Sequence, residues 1–385
     1  MTDRVFLIVL DSLGIGALPD AKDYGDEGSD TLRSVMKSEK FSAENLKSLG
    51  LFNIDGENGG VSSPRGAYAR MSEKSNGKDT IIGHWEMCGV ISDHDMPTYP
   101  NGFPKEIIEE FERRCGRGTL CNMPYSGTKV IADYGKEHER TGKLIVYTSA
   151  DSVFQIAAHE DIVPIEELYR CCEIARELLQ GEHGVGRVIA RPFEGEHPYT
   201  RTSRRHDYAI LPPHETTLDL IKNAGLDTVC VGKISDVFAS QGVTKSIKTS
   251  GNTDGMAKTL EVQSSDFKGF AFINLVDFDS IYGHRRDIDG YATALTEFDM
   301  WMPRFIDNMR ENDVLMITGD HGCDPGFKGT DHTREYTPLI VYGKHIKPQN
   351  LGVRESFADI GASICDMLGV KNTLGGKSFI KEVLK

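Results

Sequence analysis

Asp313-Val-Leu-Met-Ile-Thr318-Gly-Asp320-His321-Gly-Cys-Asp324 is the stretch on which the fold of this chain turns. Its first half is a short apolar run, which stops at a glycine followed by a carboxylate and an imidazole. Such a run reads as a buried strand that delivers Asp320 and His321 at its carboxyl end, where open α/β sheets put their ligands. Gly329-Thr-Asp331-His332 follows at once. Carboxylates and imidazoles so closely spaced are the raw material of a divalent metal site. Asp/His sites with few thiolates usually act on oxygen leaving groups, phosphate above all. Either Asp-His pair alone reads more readily as a polar loop with a capping Asp and a surface His, and it is the two pairs together that favour a metal site.

Two other strand ends carry the same chemistry. Val5-Phe-Leu-Ile-Val-Leu10 stops at Asp11, ahead of a glycine-rich turn through Gly14 and Gly16. Gly269-Phe-Ala-Phe-Ile-Asn-Leu-Val276 stops at Asp277, with Asp279 and His284 close behind. A parallel sheet gathers the carboxyl ends of its strands at one edge, so the three groups count as one site. A pair of metal ions about 4 Å apart needs this supply of ligands. Asp277 and Asp279 would point the same way from an extended backbone, and each could instead cap a helix. The candidate nucleophile is Thr80 in Gly77-Lys-Asp-Thr80-Ile-Ile-Gly83-His84-Trp-Glu86. A metal-bound hydroxyl becomes a feasible alkoxide, and a helix starting there would turn its free N–H groups toward a phosphate. Taken alone, Thr80 reads as an N-cap threonine.

Strand and helix signals alternate through both ends of the chain. The segment 30–36 is a helix start capped by Asp30, and 67–71 and 227–231 read as strands. Helical spacing runs over 216–224, over 291–309 with Leu295, Phe298, Met302 and Phe305 in phase, and over 357–368. This pattern predicts an α/β core with a mostly parallel sheet covered by helices. The middle differs. It opens in Met96-Pro-Thr-Tyr-Pro-Asn-Gly-Phe-Pro104 and closes in Leu211-Pro-Pro213, both of linker composition. Between them lie two helices, about 104–114 and 165–180, and several strands. The chain therefore divides into a discontinuous core, residues 1–93 and 213–385, and an inserted α+β domain, residues 94–212. A length of 385 residues fits two domains.

Lys and Arg number 44 against 58 Asp and Glu, a net charge of −14. Binding of nucleic acid or of an anionic membrane through bulk charge is therefore not expected. An acidic protein that handles phosphate must gather its cations locally, and Arg187, Arg191, Arg201, Arg204 and Arg205 crowd one short segment. Eight scattered cysteines without a Cys-x-x-Cys pair fit a reducing cytoplasm. The first apolar run is too short for a signal-peptide core or a membrane span. The expectation is a soluble, cytoplasmic protein with no obligate protein partner.

The segments VLDSLGIGALPDA, GKDTIIGHWE, YTSADSVFQIAAHE, VGRVIARPFEGE, NLVDFDSIYGHRRD and TGDHGCDPGFKGTDHTREYTPL together resemble the bacterial-type phosphopentomutases of the alkaline phosphatase superfamily. The resemblance runs from about Phe6 to Phe379 and takes in the inserted middle. It implies an alkaline-phosphatase-like core with an inserted cap, two Mn2+ ions, and Thr80 as the phosphorylated residue. Asp11, Asp320 and His321 would hold one metal, and Asp279, His284 and His332 the other. Asp277, Asp324 and Asp331 would not be direct ligands, and His84 and Glu86 would stabilise the turn. Ile82 departs from the small polar residue that often precedes the glycine of GHWE in the family. Ser149, Asp151 and Val153 match positions near the pentose. Arg191, Arg201 and Arg205 are candidates for gripping the distal phosphate, with Lys233 completing the clamp; a solvated salt bridge is the competing account of each arginine.

The implied activity moves phosphate between C1 and C5 of ribose or 2-deoxyribose through phosphothreonine and a pentose bisphosphate. Glucose 1,6-bisphosphate, or a pentose bisphosphate, would prime Thr80. The inserted domain would keep water from the phosphothreonine. A metal-dependent phosphatase or phosphodiesterase on the same core is the nearest rival, because its nucleophile and metals would look the same. A phosphoglycerate mutase would be expected to carry serine in place of Thr80 and a different insertion. A silent binding module would not need so complete a set of site residues.

Overall fold

The structure, a computed structural model, describes residues 2–149 and 151–385; Ala150, inside the YTSADSVFQ segment, lies outside them. The chain forms two compact units, Met1–Asp95 with Pro212–Lys385 and Met96–Leu211. In chain order the strands are β1 (Arg4–Leu10), β2 (Ala67–Met71), β3 (Thr119–Pro124), β4 (Leu144–Thr148), β5 (Val153–His159), β6 (Arg187–Glu194), β7 (Thr200–Arg201) and β8 (His206–Ala209). They continue with β9 (Asp227–Val231), β10 (Lys245–Ile247), β11 (Gly269–Leu275), β12 (Asp313–Thr318), β13 (Thr337–Tyr342) and β14 (Asn350–Arg354).

The first unit holds an eight-stranded sheet in the order β10-β9-β11-β1-β12-β13-β2-β14. Pairing is parallel except where β13 runs antiparallel to β12 and β2. Every residue of β1, β11 and β12 is buried, as continuous apolar runs require when helices cover both faces. The register decides where the site lies. Leu10 pairs with Leu275 and Val9 with Thr318, so the carboxyl ends of these three adjacent strands lie level. At the opposite end Arg4 faces Asp313 in register. Its Nε and Nη2 donate to the two carboxylate oxygens at 2.8 and 2.6 Å.

The helix Ile288–Asp307 turns Leu295, Phe298, Met302 and Phe305 into the core shared with Phe6 and Ile8 of β1. Phe305 meets Phe6 edge to face at 5.2 Å. The helix starts three residues before the expected Tyr291 because Asp287 caps it, its carboxylate accepting from Gly290 N at 2.8 Å. Asp30 caps Thr31–Val35 as expected.

The second unit has a mixed sheet in the order β3-β4-β5-β6-β7, with β8 also on β6. The helices Lys105–Cys115 and Ile165–Leu178 correspond to the two read from the sequence. Phe111, Leu168 and Cys172 from these helices join Phe154 and Val188 of the sheet in one core. A third helix, Gly127–Thr141, was not expected. Its buried positions are Val130, Ile131, Gly135 and His138, and a glycine and a histidine blur the apolar period that would have revealed it. It covers a second core with Ile145, Tyr147 and Phe193. Among the described residues no helix is long and apolar enough to cross a membrane, and all eight cysteines are free.

Candidate metal centre and active site

The strand ends of β1, β11 and β12 bring Asp11, Asp279, Asp320 and His321 together, and the following loop adds His332. All four residues from the strand ends are buried. His321 Nε2 lies 3.5 Å from Asp11 Oδ1 and 3.3 Å from Asp320 Oδ2. Beside this trio, Asp279 Oδ2 is 3.4 Å from His284 Nε2 and Asp279 Oδ1 is 3.4 Å from His332 Nε2. The two imidazole Nε2 atoms are 3.0 Å apart. The groups adjoin, with the His321 and His332 rings at 4.0 Å.

Local backbone explains how each carboxylate arrives. Ser12, directly after Asp11, sits at φ 69°, a left-handed conformation costly for a side-chain-bearing residue, and its N–H reaches Asp320 Oδ1 at 2.9 Å. After β11 the chain enters a widened helical turn, Phe278–Gly283, in which His284 N donates to Asp279 O at 3.0 Å. This turn replaces the extended backbone considered for Asp277 and Asp279 and separates their directions. Asp279 enters the site. Asp277 accepts from Asn252 N at 2.6 Å, at the start of the helix Asn252–Ser264. Asp324 accepts from the N–H groups of Asp30 and Gly326. Asp331 pairs with Lys78 at 3.2 Å and accepts from His332 N.

Thr80 opens the helix Thr80–Met87, with Asp79 as its N-cap in place of Thr80 itself. The Asp79 carboxylate accepts from Ile81 and Ile82 N–H at 2.8 and 3.2 Å. The Thr80 hydroxyl is thereby free for the site. Its Oγ1 stands 3.2 Å from His321 Nε2 and accepts from Lys233 Nζ at 3.0 Å. Gly83 lets the helix approach, since a Cβ there would collide with the Asp320 backbone carbonyl. Ile82 is buried and packs toward the Gly77 turn.

Three further side chains, Lys233, Asn274 and His84, adjoin the site. Lys233, read as completing the arginine clamp from the core side, lies in the first unit as that reading has it, with its Nζ 2.5 Å from Asp11 Oδ2 and 3.0 Å from Thr80 Oγ1. Asn274, the one side-chain amide in the buried strand β11, donates to Asp11 Oδ2 at 3.0 Å and lies 3.2 Å from His84 Nε2. A polar residue inside a continuous apolar strand was the signal that could have found it. His84 Nδ1 reaches Thr80 O at 2.8 Å and Asp320 Oδ2 at 3.2 Å. Glu86 accepts from Ser75 N, Ser356 Oγ and Phe357 N and stays out of the site.

Electrostatics shows what such a site requires. Burial, with the Asp320 carboxylate beside it, pushes Asp11 up to about 7. Burial works the same way on Asp320 and Asp279, but neighbouring imidazoles outweigh it and hold both below the ordinary carboxylate range. Burial lowers His321 to about 4, while Asp279 overcomes burial and lifts His332 to about 9.

Asp11 Oδ1, Asp279 Oδ1 and Asp320 Oδ2 are buried without a hydrogen bond. An unpaired buried carboxylate oxygen is costly, and a cation is the usual remedy. His284 and His321 direct Nδ1 to the carbonyls of Thr330 and Gly322 at 2.7 and 3.1 Å. A proton on Nδ1 leaves a lone pair on Nε2, the tautomer a metal ligand needs. Compact donor groups occur at Asp11, Asp320 and His321, at Asp279, His321 and His332, and at Asp279, His284 and Cys323. The donor set fits divalent ions.

In the second unit Ser149 Oγ accepts from Asp151 N at 3.3 Å, and Val153 opens β5 with its side chain buried. The five arginines part company. Arg204 is paired with Glu160, and Arg205 forms a bidentate pair with Asp207 at 2.7 and 2.6 Å. Arg187 lies 3.7 Å from Asp207 and 4.0 Å from Asp151. Arg191 donates to Gln155 at 3.1 Å. Arg201 passes over Gly127, where a Cβ would collide with its guanidinium and crowd the Tyr147 hydroxyl.

A family model described as the metalloenzyme superfamily matches residues 3–372. A phosphopentomutase of Lachnoclostridium phytofermentans is 60% identical over 99% of each chain, and one of Clostridium novyi is 53% identical over the full length of both. Among solved structures, the PH0037 protein of Pyrococcus horikoshii superposes with a TM-score of 0.52 at 15% identity, covering 98% of this chain and all of that one. That likeness concerns the fold alone. Full-length identity to enzymes of one activity, on a core whose strand ends assemble a two-pocket site around a threonine, shows that the chain belongs to the phosphopentomutase family of the metalloenzyme superfamily.

Proposed function

We propose that the chain interconverts ribose 1-phosphate and ribose 5-phosphate, and the 2-deoxyribose equivalents, with Thr80 as the phosphoryl carrier. The observation that carries the reading is the Thr80 hydroxyl, freed from capping by Asp79 and held by Lys233 at 3.0 Å beside His321 at 3.2 Å. In its resting form Thr80 bears a phosphoryl group. The free hydroxyl of a pentose monophosphate attacks the phosphorus and the bond to Thr80 Oγ1 breaks, giving a pentose bisphosphate. After the sugar turns over, Thr80 Oγ1 attacks the other phosphorus, the bond from that phosphorus to its sugar oxygen breaks, and the oxygen takes up a proton while the remaining phosphate stays on the opposite end of the sugar.

Asp11, Asp320 and His321 would hold one divalent ion, and Asp279, His284 and His332 a second. Mn2+ is the ion that the resemblance implies, and carboxylate with imidazole accepts it among other divalent ions. Such ions neutralise charge on the transferred group and acidify the attacking oxygen. Lys233 adds a fixed cation against Thr80 Oγ1, which steadies the oxygen both as nucleophile and as leaving group. The N–H groups at the start of the helix Thr80–Met87 favour the same negative charge. In the second unit Arg191 and Arg201 are the arginines we assign to a sugar phosphate, with Arg205 held by Asp207 beside them and Ser149, Asp151 and Val153 near the pentose. Glucose 1,6-bisphosphate or a pentose bisphosphate would prime Thr80. The eight free cysteines favour a cytoplasmic setting.

The test is incubation with ribose 1-phosphate, Mn2+ and catalytic glucose 1,6-bisphosphate, followed by measurement of ribose 5-phosphate and free phosphate. Ribose 5-phosphate is expected as the main product and should need the bisphosphate. Release of mainly free phosphate would replace the mutase reading with a phosphatase.

A further inference from the structure

Cys323 lies two residues beyond His321, and the site described above gives it no task. It is fully buried. Its sulfur, one Asp279 oxygen and one His284 nitrogen lie within 4.8 Å of one another, the compactness of a metal pocket. Around the sulfur Arg286 Nη1 is 3.7 Å away and the Asp331 carbonyl 3.8 Å. Gly283 closes the other side, where a Cβ would stand 3.0 Å from Cys323 Sγ. The sulfur is thus confined between the widened turn that carries Asp279 and the loop that carries His332. A second observation points to a ligand in the same place. Asp279 is 5% exposed, and its Oδ1 is buried without a hydrogen bond.

We infer that Cys323 is a conditional fourth donor of the Asp279, His284 and His332 pocket, silent with a hard ion and recruited by a thiophilic one. The inference rests on the metal reading above and concerns which ion this pocket prefers. Carboxylate and imidazole suit Mn2+, whereas thiolate selects Zn2+, Co2+ and softer ions. With Mn2+ the thiol keeps its proton and its contact with the Asp331 carbonyl. With Zn2+ or Co2+ the S–H proton passes to solvent and a metal–sulfur bond forms, with no change of oxidation state. One pocket would then carry a sulfur ligand and its neighbour only oxygen and nitrogen. The pair should discriminate between ions unequally, and the Cys323 pocket should resist exchange of a thiophilic ion for Mn2+.

Cobalt reports this directly. The full chain is stripped with a chelator and reloaded with Co2+, and bound cobalt and the absorption spectrum are measured together. A near-ultraviolet sulfur-to-cobalt charge-transfer band is expected beside the visible ligand-field bands. Cys323→Ser and Cys323→Ala should lose that band while still binding cobalt. Their preference for Zn2+ over Mn2+ in competition should fall on the order of 10-fold or more. Two bound cobalt ions without the sulfur band would overturn the inference and leave the metal reading intact. A band that survives in both variants would overturn it as well, since the sulfur would then be another cysteine. Failure to bind cobalt at all would overturn both readings. Cys323 is the only cysteine in a compact donor group among the described residues, so the wild-type spectrum still bears on it if a variant does not fold, and absence of the band there overturns the inference.

Discussion

Thr80 is useful because Asp79 does the capping. Had its hydroxyl been spent on the helix N–H groups, the site would hold metal ligands without a nucleophile. Thr80→Ala removes one oxygen at the first helical position, so fold and metal content should remain. Phosphoryl transfer should fall by ~10⁴-fold or more, as when a covalent nucleophile is deleted; a protein still active and carrying no phosphothreonine would end the scheme. Asn274 acts one contact further out. Its amide joins Asp11 and His84, and His84 joins Thr80 and Asp320. Asn274→Ala should weaken binding at the Asp11, Asp320 and His321 pocket by roughly 10–100-fold, the usual cost of losing a group that orients a ligand. Mn2+ titration followed by electron paramagnetic resonance would show it, with the second pocket as internal control. Of these residues Thr80, Asp11 and Asp320 were legible from strand ends and turn composition. Asn274 is marked in the sequence only as a polar residue in an apolar run, which signals a buried amide needing partners but not that the partners are Asp11 and His84.

At the level of elements, the turn before Thr80 is held by one side chain. Arg334 is 2% exposed and pairs with Glu73 at 2.8 Å and Asp20 at 2.9 Å. It also donates to the carbonyls of Ser75 and Gly77 at 2.8 and 2.7 Å. The segment that leads into the helix Thr80–Met87 is thereby tied to the chain that carries His332. Removing one partner of a buried ion pair leaves the other unpaired, at a cost of roughly 3–5 kcal/mol. Arg334→Ala should therefore lower stability by that order in urea unfolding. Its kcat should fall more than KM rises, since Thr80 moves relative to the metal ligands. Unchanged stability would show that the pair contributes nothing net. The strands and the helices at either end of the chain were readable because their apolar residues keep a regular period. The helix Gly127–Thr141 was missed where Gly135 and His138 fill buried positions. The turn at Phe278–Gly283 was missed because a single inserted residue in a helical turn leaves no periodic trace.

For the whole molecule, folding without ions buries four carboxylate oxygens that have no hydrogen bond among the described residues, one on Glu73 and three gathered at the site, on Asp11, Asp279 and Asp320. Metal binding and folding are therefore linked, because the unfolded chain has no such pocket. Each occupied site should add about 2.7 kcal/mol when the ion is at a hundredfold excess over its Kd. Chelation should lower the melting temperature measured by calorimetry, and Mn2+ should restore it in proportion to the sites filled. A melting temperature indifferent to chelator would contradict the two pockets. By itself the sequence determined the chemistry available, three acidic strand ends, a threonine after a glycine turn and an arginine-rich insert, since composition and period are local properties. Only the tertiary structure decided which of those groups meet. Strand order and register bring Asp11 level with Asp320, the widened turn sends Asp279 into the site and Asp277 away, and the fold sets Lys233 between Asp11 and Thr80. Those outcomes depend on contacts between residues far apart in the chain, and spacing along a chain carries no record of them.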